Sequence, residues 1–149
     1  FLRNAVGIDN GQASGPGVDA FNQAFQAAYN RPPVGPGLHT MYDAAAVTLL
    51  AMQAAPSLEG PAIRDALRAV QDPDGMVVGP GVDELRKGLK ALAEGLKIRY
   101  VGATGPFRFD RNGDVSGPMI IWKVSDGAIV TEKTISLEEL NALEAQVGL

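Results

Sequence analysis

Ile98-Arg99-Tyr100-Val101-Gly102-Ala103-Thr104-Gly105-Pro106-Phe107-Arg108-Phe109-Asp110, continued by Arg111-Asn112-Gly113-Asp114-Val115, is the stretch that decides how this chain folds. Phe107 and Phe109 alternate, so an extended backbone puts both on one face. Asp110 to Asp114 then makes a turn and Val115 resumes the strand. Asn-Gly between apolar residues is a strong hairpin signal, because both residues tolerate positive φ. Gly102 to Gly105 has neither the lysine of a phosphate loop nor the spacing of a dinucleotide loop, and it reads as a turn.

Toward the C-terminus, Met119 to Val124 is a dense apolar strand carrying the only tryptophan, Trp122. Asp126-Gly127 turns it into a second strand, Ala128 to Ile135. Ser136 with Glu139 forms a capping box for a final helix bearing Leu137, Leu140, Leu143 and Val147.

Toward the N-terminus, Val82, Leu85, Leu89, Leu92 and Leu96 recur in steps of three and four, predicting a helix from about Val82 to Leu96. Asp83 and Glu84 in its first turn suit the helix dipole. The stripe is short, so it is read as packing against a sheet, with a coiled coil as the alternative. Asp72-Pro73-Asp74-Gly75 is a turn by composition. Gly60-Pro61 opens another helix, with Ile63, Leu67 and Val70 as its apolar stripe. Thr40 to Ala55 is apolar around most of its circumference and is expected to be buried on more than one side. Val18, Phe21, Phe25, Ala28 and Tyr29 make Gly17 to Asn30 amphipathic, and the prolines between Arg31 and Gly37 stop that helix. Asp9 to Gly17 is a connector, and Phe1 to Ile8 reads as the end of a strand.

The 149 residues suit one domain or a large piece of one, and 46% hydrophobic with 20% charged residues is the composition of a folded globular protein. A net charge of −4 argues against nucleic acid as a partner. The Arg86, Lys87 and Lys90 run is interleaved with Glu84 and Glu94 and reads as a solvated helix face. Without cysteine there are no disulfides and no thiolate metal sites. The longest apolar stretch is too short to span a membrane. Phe1 is not an initiator residue, so the chain is expected to be processed, truncated or cut from something longer.

Catalytic chemistry finds little support. The single histidine, His39, leaves no two-histidine metal site, and no serine occupies a Gly-x-Ser-x-Gly elbow. Asp110, Asn112 and Asp114 alternate as at the start of a calcium loop, but Gly113 is misplaced and Ile121 stands where a bidentate glutamate is needed. No cofactor and no catalytic residue is expected.

Three stretches together resemble one family, the type I periplasmic binding proteins of branched-chain amino acid importers. The first is Gly17 to Phe21 through Ala28-Tyr29-Asn30-Arg31-Pro32-Pro33. The second is Met41-Tyr42-Asp43-Ala44-Ala45 with Gly60-Pro61-Ala62-Ile63-Arg64-Asp65-Ala66-Leu67. The third, and most specific, is the opening stretch, leading to the strand with Trp122. In order and spacing they span nearly the whole chain.

The resemblance implies an α/β chain, part of a two-lobed Rossmann-like fold: helices packed on a sheet, a C-terminal β-hairpin and strands crossing between the lobes. Residues 1–16 would be a hinge crossing from the second lobe, with Phe1 to Gly7 ending that lobe's last parallel strand. Residues 17–118 would be first-lobe helices and hairpin, and 119–149 a return crossing with a terminal helix. The implied function is extracytoplasmic capture of an amino acid or related small carboxylate by lobe closure, free or tethered to the membrane. Partners would be that solute and the membrane subunits of an ABC importer. A ligand-sensing regulatory subunit of the same fold is the alternative. So is a truncated domain that self-associates without ligand, because a large bare apolar face is not tolerated on a monomer.

Ligand contacts are expected on the loop from Gly35 to Thr40, with Gly37, Leu38, His39 and Thr40 as candidates and Tyr42 behind them. Helix N-termini facing a cleft offer N–H groups to a carboxylate. Each residue also has a plainer reading: Thr40 as a helix cap, His39 as a partly exposed loop residue, Tyr42 and Asp43 as packing residues. Asp9 and Asn10 are secondary candidates.

Overall fold

A computed structural model describes residues 5–11, 14–34, 37–110 and 112–147. The chain order is β1 (Val6–Asn10), α1 (Pro16–Tyr29), α2 (Leu38–Ala54), α3 (Gly60–Ala66), β2 (Met76–Val78), α4 (Val82–Ala93), β3 (Ile98–Tyr100), β4 (Met119–Ser125), β5 (Ala128–Ile135) and α5 (Leu137–Val147). The described residues form two compact units. One runs from Ser14 to Arg108; the other joins the first strand to the segment that starts at Phe109.

The first unit is built around a β-α-β turn of the chain. β2 and β3 lie parallel, Met76 opposite Ile98 and Val78 opposite Tyr100, and α4 connects them. On the other side of β3 the segment after α3 runs antiparallel: the Tyr100 N–H donates to the Val70 carbonyl at 2.9 Å, and the Asp72 N–H to that of Ile98 at 3.1 Å. Val70, Val78, Ile98, Tyr100 and, from α2, Leu50 are fully buried and form the core. Gly88 lets α4 approach closely, since a Cβ there would stand 3.0 Å from both Leu50 Cδ2 and Val78 Cγ1.

The turn before β2 forms as its composition implies. The Asp74 N–H donates to Asp72 Oδ1 at 2.9 Å, and the Gly75 N–H to the Asp72 carbonyl at 3.0 Å. A Lys97 hydrogen bond, backed by the Asp74 N–H, holds the Asp72 carboxyl below the usual carboxylate range. Strand β2 itself has no counterpart in the sequence reading. Three residues are too few to show a period of two.

Two helix expectations need correction. α2 begins at Leu38, so Thr40 lies inside its first turn and is not its cap; Gly37 takes that position with φ +79°. Nor is α2 buried on more than one side within this unit. His39, Asp43, Ala46, Val47, Leu50 and Ala51 form one buried stripe, while Met41 and Leu49 are 71% and 54% exposed. The rest of its apolar surface, Met41 and Leu49 with Ala44 and Ala45, is left uncovered by this unit.

In the second unit β1, β4 and β5 form an antiparallel sheet in that order. β1 extends to Asn10, taking in Asp9 and Asn10, which the sequence reading assigned to the connector. Gly7 pairs with Trp122, and the indole lies against the Gly7 backbone where any Cβ would overlap it. Asp126 and Gly127 both have positive φ (52° and 81°), which is the type I′ turn that matches strand twist. Glu132 is the extra residue of a bulge in β5, opposite the Ile121–Trp122 step, and its carboxylate pairs with Lys123 at 2.8 Å. The Ser136 hydroxyl accepts the Glu139 N–H at 3.1 Å as the capping box predicts, while the Glu139 carboxylate pairs with Lys133 at 2.7 Å.

The expected turn from Asp110 to Asp114 forms between Phe109 and Val115. A single bridge joins Phe109 to Val115, and the turn is organised by Asp110, whose Oδ1 accepts the N–H groups of Asn112 (2.7 Å) and Asp114 (2.9 Å). Gly113 has positive φ (94°). The Asp110 side chain, two residues ahead of Asn112, closes this turn from within. Arg111 of that turn, Phe1 to Asn4 of the first segment, Gln12 and Ala13 of the connector and the Val147 side chain lie outside the described residues.

Candidate functional site

The first turn of α2 carries the candidate residues. Gly35 and Pro36, in the loop before it, lie outside the described residues. Gly37 and Thr40 are exposed, Leu38 is half-buried, and His39 is buried. No side chain caps this end of the helix and no acidic residue occupies its first turn, so its dipole is left unneutralised by the helix itself.

His39 and Tyr42 point the other way, into the seam with α1. His39 Nε2 lies 2.9 Å from Asn22 Oδ1, an acceptor, which places the proton on Nε2. The imidazole packs on the Phe21 ring at 4.6 Å between centroids, and the Tyr42 ring meets Phe21 at 4.9 Å. Phe21 is 5% exposed and His39 8%, so the centre of this small aromatic cluster is buried. Burial pushes His39 below its ordinary pKa, and the Asp43 carboxylate opposes that only in part. His39 is thus a neutral packed residue, not the partly exposed loop residue of its plainer reading.

Behind the cluster, adjacent side chains of α2 hold the two loops at the carboxyl ends of the parallel strands. The Tyr42 hydroxyl oxygen accepts the Gly81 N–H at 2.7 Å, fixing the loop after β2. In that loop Glu84 also accepts the Gly79 N–H at 3.1 Å; Lys87, first, and this N–H hold its carboxyl below the usual range. Asp43 holds the loop after β3. Its Oδ1 accepts the Tyr100 O–H (2.8 Å) and the Ala103 N–H (2.7 Å), and its Oδ2 accepts the Thr104 N–H (2.8 Å) and hydroxyl (2.6 Å). Burial, the Asp43 charge and this hydrogen bond push the Tyr100 phenol far up, so it stays protonated and donates. Tyr42 and Asp43 therefore pack and pin the unit, as their plainer reading has it.

The structure brings His39 and Tyr42 together through Phe21 and separates them from Thr40, which faces solvent. Asn22 and Gly81 take part in this arrangement and were not singled out from the sequence. Neither carries a local pattern; each is met only when α1 and the β2 loop fold onto α2. Among the described residues no group of three metal-ligating side chains converges.

No protein-family model and no curated protein matches this sequence. Among solved structures, a leucine-binding protein LivK from Thermotoga maritima is similar in fold. The likeness has a TM-score of 0.57 at 19% identity and covers 93% of this chain. It covers 32% of that protein, so this chain spans about a third of its neighbour's length. The chain is α/β, and its fold is similar to part of that leucine-binding protein.

Proposed function

We propose that this chain is the C-terminal portion of a solute-binding subunit of an ABC importer, capturing an amino acid or related small carboxylate reversibly as two lobes close. The observation that carries the reading is the fold match over 93% of the chain to a protein described as leucine-binding. On this reading residues 1–16 cross from the second lobe, 17–118 belong to the first, and 119–149 return. The protein is extracytoplasmic, free or membrane-tethered, and no described helix is long and apolar enough to cross a membrane. It is not an enzyme: the solute shifts the balance between open and closed forms, and no bond is made or broken.

Gly37, Leu38 and Thr40 are assigned to the solute. They sit at the uncapped N-terminus of a 17-residue helix, where free N–H groups and the dipole suit a carboxylate. His39 and Tyr42 support that end from behind through Phe21.

A thermal-shift screen of the protein containing this chain, against amino acids, amides and small aromatic acids, tests the proposal. A hundredfold excess of the right solute over its Kd stabilises by about 2.7 kcal/mol, a clear rise in melting temperature. Thr40→Glu should then weaken a carboxylate-bearing solute several-fold in calorimetry, because the added charge faces the same helix end. A flat screen on folded protein would favour the self-associating alternative, which holds no ligand.

A further inference from the structure

The turn Gly102-Ala103-Thr104-Gly105 is closed at both ends. Gly102 N–H donates to the Gly105 carbonyl and Gly105 N–H to that of Gly102, each at 3.0 Å. Gly105 has φ +94°, open to glycine at little cost, and a Cβ on Gly102 would overlap the Asp43 carboxylate. The N–H groups of the two central residues, Ala103 and Thr104, therefore point to one place. The Thr104 hydroxyl and the Tyr100 phenol point there too, and among the described residues no cation bonds to the Asp43 carboxylate. Successive inward N–H groups of this kind make an anion-binding concavity.

We propose that the three donors of this turn, with the Tyr100 phenol of β3, make a carboxylate-binding site whose resident ligand is the Asp43 side chain, and that the site, once emptied, takes up a small free carboxylate. Asp43 is 5% exposed, so the donors it satisfies have little water to turn to when it is removed. Asp43→Ala removes the carboxylate and leaves a hole of its size. Formate replaces the missing group with least excess volume; acetate and propionate are progressively too large. The role of Asp43 is to hold the turn from which the chain leaves this unit, a role independent of any solute the protein carries.

The test is thermal denaturation of the full chain in sodium formate, acetate, propionate and chloride at equal ionic strength. Asp43→Ala is expected to melt lower by on the order of 10 °C. Formate should restore part of that loss saturably, acetate less, propionate and chloride not at all, with the parent protein indifferent to all four. Formate and chloride acting alike on Asp43→Ala would overturn the proposal. If Asp43→Ala does not fold in chloride, recovery of its circular dichroism in formate supports the site, and no recovery overturns it. Asp43→Asn keeps the volume but presents an N–H₂ to donors; it should be destabilised and insensitive to formate, and stability equal to the parent's would also overturn the proposal.

Discussion

His39 is the only histidine in the chain, so any titration of folding between about pH 5 and 7 traces to one side chain of known surroundings. Burial lowers its pKa in the folded state, so as pH falls through about 6.5 the unfolded chain takes up the proton first. Stability should be full above that value and decline below it. Melting temperatures at pH 7.5 and 5.5 should differ in the parent, and His39→Gln should remove most of the difference. The carboxylates held below their usual range, Asp72, Glu84 and Glu139, lose their contribution only at more acid pH, outside this window. At the same scale, Gly7→Ala places a methyl against the Trp122 indole and should destabilise the second unit by about 1–3 kcal/mol. Trp122 is the only tryptophan, so its fluorescence reports that loss directly.

Among the elements, those with a local rule were legible and those with a distant partner were not. The α4 stripe, the Asp72 turn, the Ser136 cap and the β4–β5 pair all follow from spacings of two to four residues. Asp126-Gly127 meets the type I′ requirement at both positions, so Gly127→Val should cost about 1–2 kcal/mol by forcing a β-branched residue to positive φ. The Asn112-Gly113 cue placed the turn between Phe109 and Val115, while its closure by the Asp110 carboxylate was seen only in the structure. For α2, composition overstated burial, and only the stripe through Leu50 enters the core. Leu50→Ala should cost about 2–5 kcal/mol in chemical denaturation, because α4 is held close by Gly88 and cannot easily collapse into the hole.

At the scale of the whole molecule, apolar surface remains uncovered. Met41 and Leu49 on α2, Leu58 ahead of α3, and Val6 and Ile8 on β1 are each more than half exposed. The chain spans 32% of its structural neighbour, and on the proposed reading the rest of the protein covers these faces. Produced alone, the chain is expected to self-associate with rising concentration on a sizing column, and Met41→Glu with Leu49→Lys should shift it toward monomer. The sequence by itself determined the helices, turns and strands whose signals lie within one or two turns of chain, along with the absence of cysteine chemistry. Its three spaced motifs also indicated the α/β class. Only the tertiary structure decided that β2 pairs with β3, that His39 is buried against Phe21, and that the Asp43 carboxylate closes a turn 60 residues away. A periodic pattern records which face of an element is apolar, whereas the partner of a polar group so far along the chain leaves no mark until folding brings them together.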